Sequence, residues 1–169
     1  MTLPTFTAHQ RLPASKLTTV TAATAVALAA DGALPGMIVG TPSLVTADSS
    51  GVTADTEVQT LTVPVVSGRV YKVHWLAKLL SSSTATDTAR ANIKEDSSAG
   101  TQLQSGNVVV GATGSVGAVI HLVALYTADA TENKTFSFTI SRAAGAGNIS
   151  LEAASDRPAI AWAEYLYTP

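Results

Sequence analysis

The chain has 169 residues, enough for one domain with a proper core plus a short extension, and no cysteine, which excludes a disulfide framework and thiolate metal sites. Its formal net charge of -2 rests on only 13% charged residues, about half the ordinary share, so no basic stripe exists to neutralise phosphates and nucleic acid is not an expected partner. Ser, Thr, Ala and Gly stand where Lys and Glu normally cover a surface, which suits either an ordinary neutral exterior or one covered by copies of itself or by a larger assembly.

In chain order the first distinctive stretch is "FTAHQRLPASKL" (Phe6 to Leu17), which follows no strand alternation and matches no catalytic signature. The apolar residues Leu3, Phe6, Leu12 and Leu17 are too few and too widely spaced to form a core, so burying them requires another surface; they are the expected anchoring residues. Pro4 and Pro13 bias this backbone toward extended or turn conformations. From Pro13 to about Ala30 the spacing of Leu17, Val20, Thr24 and Leu28 predicts a short helix with Ser15 as its N-cap. The run Thr18 to Ala33 resembles a secretory apolar region only in ending on small residues; it has little Leu, follows just Arg11 and Lys16, and is too short and polar to span a bilayer, so no membrane is expected. "DGALPG" (Asp31 to Gly36) ends the helix, which divides the chain into an anchoring arm, residues 1–35, and a second unit, residues 36–169.

Beyond that boundary the period becomes two. In Arg69 to Leu80 the residues Tyr71, Val73, Trp75, Ala77 and Leu79 share one face, with Lys72, His74 and Lys78 on the other. Lys134 to Ser141 alternates Phe136, Phe138 and Ile140 inward with Thr135, Ser137 and Thr139 outward. "AAGAG" (Ala143 to Gly147) reads as a hairpin turn leading to Ile149, Leu151 and Ala153, which predicts that these two runs pair. Further strands are expected at Ile38 to Val45, Glu57 to Val65, Ala89 to Lys94, Leu103 to Val110, Val116 to Tyr126 and Ala159 to Tyr167. Short strands separated by Gly and Ser clusters, with no helix between them, predict an all-β fold: an antiparallel jelly-roll-like sandwich of about eight strands. Its expected core includes Val73, Trp75, Ile93, Ile120, Leu122, Phe136, Phe138, Ile140, Ile149 and Leu151.

No catalytic residue, metal ligand or cofactor is assigned. His9, His74 and His121 lie far apart in sequence, and none has a second ligand at metal spacing. Ser is abundant, but no G-x-S-x-G elbow accompanies it. "GATGSVG" (Gly111 to Gly117) has the wrong glycine spacing for a phosphate loop and lies between strands. The densest charge, Lys94, Glu95 and Asp96, offers too few oxygens for calcium and reads as a solvated turn. Trp75, Trp162, Tyr165 and Tyr167 could stack on a sugar, although core packing is the expected role of both tryptophans.

Two parts of the chain carry a family resemblance. Phe6, Thr7, Ala8, Leu12, Ala14 and Leu17 resemble the short N-terminal motif of tail-fibre and minor tail proteins of phages infecting actinobacteria, with His9, Pro13 and Thr18 departing from its usual Gly, Thr and Asn. "RVYKVHWLAKL", "ARANIKEDSSAGTQLQ" and "TFSFTISRAAGAGNISLEAASDRPAIAWAEYL" resemble the β-sandwich virion proteins of the same phages, in which an arginine- and glycine-rich hairpin precedes the last strands; Arg142, Gly145, Gly147 and Pro158 match it. The resemblance implies a non-enzymatic structural protein on the exterior of a tailed-phage virion, assembled in the host cytoplasm. It would be anchored by its N-terminal segment and is most simply a homotrimer of minor tail or tail-fibre type. Its partners would be itself and other virion proteins, tail or major capsid. A capsid decoration protein on the head and a module binding host-surface glycan are the alternatives.

Overall fold

The computed structural model describes residues 33–82, 86–111 and 117–169, and all regular structure within them is β. Nine strands follow in order: β1 (Ile38–Val45), β2 (Thr56–Val65), β3 (Val70–Ser81), β4 (Asp87–Glu95), β5 (Gln102–Val110), β6 (Ala118–Thr127), β7 (Glu132–Ala144), β8 (Ile149–Glu152) and β9 (Ala159–Tyr167). They lie within three residues of the runs expected from alternation. The expected short helix, and with it Leu3, Phe6, Leu12 and Leu17, lies outside the described residues.

The strands form two antiparallel sheets, β1-β9-β3-β6 with β8 also on β3, and β2-β7-β4-β5. β9 pairs with β3 from Val70 to Leu76 and β8 pairs with it from Lys78 to Ser81, so the two lie end to end along one side of β3. Counted as one interrupted strand they give the alternating order of an eight-strand jelly roll, and the ninth strand is a break in the last one. Ala153 to Pro158 forms the break, closed by the Ala154–Arg157 bridge.

The pairing of β7 with β8 expected from "AAGAG" does not occur. β7 is flanked by β2 and β4 along its length, so its sheet has no free side for β8, and the chain crosses to the opposite sheet instead. A carboxylate holds that crossing. Asp87, 2% exposed, accepts hydrogen bonds from the Ala146 and Gly147 amides at 2.9 and 3.0 Å and from the Ser81 hydroxyl. Gly145, at φ +102°, passes so close that a Cβ there would sit 1.7 Å from Asp87 Oδ1. The Ser81 bond, together with the two amides, holds the Asp87 carboxyl below the usual carboxylate range against the opposing effect of burial.

The core lies between the sheets, and all ten residues expected there are buried. Trp75 faces Phe138 across it with ring centroids 5.3 Å apart. The Trp75 indole N–H donates to Gln59 Oε1 at 2.8 Å, while Gln59 Nε2 donates to the Ser43 carbonyl at 2.9 Å, so a buried amide satisfies the one polar atom of the largest core side chain.

Candidate functional site

Period-two strands give each sheet an inner and an outer face, and the outer faces are made of different residues. On the β2-β7-β4-β5 sheet, Thr60, Thr62, Thr135, Ser137, Thr139, Asn92 and Lys94 point outward, by alternation from their buried neighbours. Ser137 and Thr139 are nonetheless fully covered, because the Ser137 hydroxyl donates to Glu57 and Asn92 bridges Thr139 at 3.0 Å to Asp55 at 3.2 Å. Lys94 in turn binds Asp55. Side chains of this polar face thus bond to one another.

The outer face of the β1-β9-β3-β6 sheet carries exposed large apolar side chains among internally paired charges. Register places Leu44 beside Ile160, Ile160 beside Leu76, and Leu76 beside His121; Lys72 sits between Glu164 and Leu125, and Lys78 beside Val119. Val119, Leu125, Leu44 and Ile38 are 65%, 63%, 58% and 53% exposed. A pocket of about 180 Å³ opens between Leu76, Val119 and Pro158, where β8 gives way to β9.

Three rings occupy the centre of this face. The His74 and Trp162 rings stack at a centroid distance of 4.5 Å and an interplanar angle of 1°, and His121 lies 5.4 Å from His74. His74 Nδ1 is 3.2 Å from His121 Nε2, and its Nε2 is buried with no hydrogen-bond partner, 3.6 Å from the Glu164 carboxylate. Burial holds the His74 imidazole below its ordinary range; nearby His121 adds to this, and Glu164 opposes it. The charges around the rings are paired within the chain: Lys78 reaches Glu152 at 2.5 Å, and Glu152 also takes Arg157 at 3.2 Å.

Trp162 is therefore not a core residue, contrary to the expectation for both tryptophans. β9 reads Ala159, Ala161 and Ala163 inward and Ile160, Trp162 and Glu164 outward. Ala161 pairs with Trp75, whose bulk already fills that part of the interior, so the small residue takes the inner side and the large one the outer. The meeting of His74 with His121 could not be read from the sequence either, since it depends on the pairing of β3 with β6. No group of three or more His, Cys, Asp or Glu among the described residues is placed to hold a metal. Glu95 and Asp96, weighed in the sequence as calcium ligands, both engage Lys134 Nζ, at 3.2 and 3.0 Å. Burial pulls the Lys134 ammonium down, yet these two bonds outweigh it and hold the group above the ordinary lysine range. The middle of the "GATGSVG" loop lies outside the described residues. None of the anchoring residues Leu3, Phe6, Leu12 and Leu17 can be placed relative to this face.

No family model matches the chain, and no curated protein matches it. Solved structures with a similar chain path include one of CBM4, 16% identical, TM-score 0.34, covering 62% of this chain and 59% of that one. Another is the carbohydrate binding module CBM6cm-2 from Cellvibrio mixtus lichenase 5A in complex with cellotriose, 14% identical, TM-score 0.36, covering 78% of this chain and 100% of that one. A third is the VP2 subviral particle of infectious bursal disease virus, 11% identical, TM-score 0.38, covering 77% of this chain and 38% of that one. This chain thus spans about three fifths of the CBM4 chain. Likenesses at this distance carry no argument about function.

Proposed function

We propose that this chain is a non-enzymatic structural protein of a tailed-phage particle, of minor tail or tail-fibre type. Its jelly roll would be displayed on the virion exterior as a self-associating unit, most simply a trimer, and its N-terminal segment would dock through Leu3, Phe6, Leu12 and Leu17 on a tail or capsid protein. The observation that carries the reading is the apolar outer face of the β1-β9-β3-β6 sheet. A solvent-facing sheet normally presents polar side chains outward, and this sheet exposes more large apolar side chains than the other, where Val109 is the exposed one among the described residues. The N-terminal resemblance supplies the particle. Mass spectrometry of purified virions is expected to find the chain, at a copy number of a few per particle for a tail protein and of hundreds for the decoration alternative. Virions without it would overturn the reading. Deleting residues 1–17 is expected to leave the sandwich folded and to abolish incorporation; normal copy number in the truncated form would remove the anchoring role.

A second reading rests on Trp162. A partly exposed indole, on the face that also bears the pocket of about 180 Å³ lined by Leu76, Val119 and Pro158, is a place where a host-surface glycan could stack. Retention on a glycan array that is lost in Trp162→Ala would support it, and no retention would end it.

A further inference from the structure

We infer that the apolar outer face of the β1-β9-β3-β6 sheet is the contact between copies of this chain. The inference deepens the self-association part of the function proposed above and does not depend on the virion part.

Three properties of the face point to a second copy. The first is size. Four strands about 4.8 Å apart and about eight residues long at about 3.3 Å each give an in-plane area of roughly 500 Å² before side-chain relief is added. The smaller specific interfaces bury about 600 Å² per partner, so this one face supplies one partner's share.

The second is charge. Glu152 lies between Lys78 and Arg157, and Glu164 stands opposite Lys72 and beside His74, so the acids and bases of the face are arranged in compensating groups within one chain. An acidic or basic partner gains little from such a surface, and an identical one meets no uncompensated field. The third is shape. Among the described residues the face is an extended sheet with a small pocket beside Pro158, and two such sheets pack directly at the usual spacing of about 10 Å. A copy laid over it would also cover Leu125, Val119 and Leu44, which are more than half exposed. The stacked His74, His121 and Trp162 would form its centre, with the buried His74 Nε2 3.6 Å from the Glu164 carboxylate.

The test is native mass by light scattering on the full chain and on two double variants. Wild type is expected at a multiple of 17.2 kDa at roughly 100 µM, two for a face that packs on its own copy about a two-fold axis. Val119→Asp with Leu125→Asp, both at exposed positions, is expected to return the mass to that of a single chain with its far-UV circular dichroism unchanged. Thr62→Asp with Thr135→Asp, on the polar face, is expected to keep the wild-type mass. A monomeric wild type overturns the inference together with the self-association reading. A Val119/Leu125 variant that stays oligomeric, or a Thr62/Thr135 variant that alone dissociates, overturns the inference and leaves self-association standing.

Labelling of His121 by diethylpyrocarbonate in the unmutated protein gives a readout independent of any folding defect. His121 is exposed in the single chain, and its labelling rate is expected to fall severalfold as the oligomer forms. An unchanged rate, or a monomer in which His121 is already protected, also overturns the inference, and the latter would assign the face to residues 1–32 of the same chain.

Discussion

The two outer faces of this sandwich obey the same alternation and end in opposite chemistry. On the β2-β7-β4-β5 sheet the outward half is mostly Thr, Ser, Asn and charged side chains tied by bonds such as Asn92 to Thr139 and Ser137 to Glu57, with Val109 of β5 exposed among them. On the β1-β9-β3-β6 sheet the outward half is Leu, Ile and Val around stacked rings and the paired charges of Lys72, Lys78, Glu152 and Glu164, with Val119 and Leu125 among the most exposed large apolar side chains. A strand's period sets which residues share a side; only their identity sets whether that side is finished in water. The polar face ties most of its groups to one another within one chain, though Asn92 Oδ1 is buried there without a hydrogen-bond partner, and the other face leaves large apolar side chains exposed.

The inner halves of the two sheets are equivalent, and truncating either should cost the same. Phe138→Ala in the polar-faced sheet and Trp75→Ala in the apolar-faced one are each expected to lose about 3–5 kcal/mol in denaturant unfolding, since both side chains are fully buried. A cost under about 1 kcal/mol for one of them would place it outside the shared core and break the equivalence.

Outward substitutions should separate the faces. Asn92→Leu removes the donor to Thr139 and Asp55 and is expected to cost about 1–3 kcal/mol, read from the same unfolding midpoint, because a network closed within the chain is opened. Leu125→Ala, 63% exposed, is expected to change the stability of the single chain by less than about 0.5 kcal/mol. If Leu125→Ala proved the costlier of the two in a monomeric sample, the apolar face would be packed by this chain itself.

Acid should act on the apolar face and on the crossing between the sheets in different ranges. The folded His74 takes a proton less readily than the same imidazole in the unfolded chain, whose ordinary value is 6.5. The unfolded state therefore binds more protons as the pH falls through that value, and stability present above it is lost on acidification. Thermal unfolding is expected to show a decline between about pH 7 and 5 that His74→Phe flattens. Asp87, held low at the crossing between sheets, contributes a separate loss that begins only as the pH falls below the ordinary carboxylate value of 3.8. A melting temperature constant from pH 7 to 5 would show that His74 is not buried as described.

Much of the fold was legible because burial on one side writes itself as alternation. Phe136, Phe138 and Ile140 could be placed in the core from their spacing alone, as could Tyr71, Val73 and Trp75. Two features escaped for a shared reason. Core packing is the expected role of Trp162 as of Trp75, yet the space inside β9 is set by Trp75, a residue more than eighty positions away. The loop Ala143 to Gly147 was read as a hairpin from its glycines, and its path is set by Asp87, which lies on a different strand. Local pattern gives a strand and its buried side, whereas sheet membership and the outer surroundings depend on pairings distant in sequence. The apolar face itself could have been suspected from one signal. "AVIHLVALY" and "AIAWAEYL" carry apolar residues on both sides of the strand, whereas "KTFSFTIS" does not.

The tryptophans give the most direct measurement of the central claim that copies of the chain cover the apolar face, because Trp75 lies in the core and Trp162 on that face. Acrylamide quenching of the Trp75→Phe variant, in which Trp162 alone emits, can be followed from nanomolar to about 100 µM protein. The account expects the quenching slope to fall severalfold and the emission to shift to the blue as Trp162 is covered. A protein that forms oligomers over this range while the slope stays constant would contradict it.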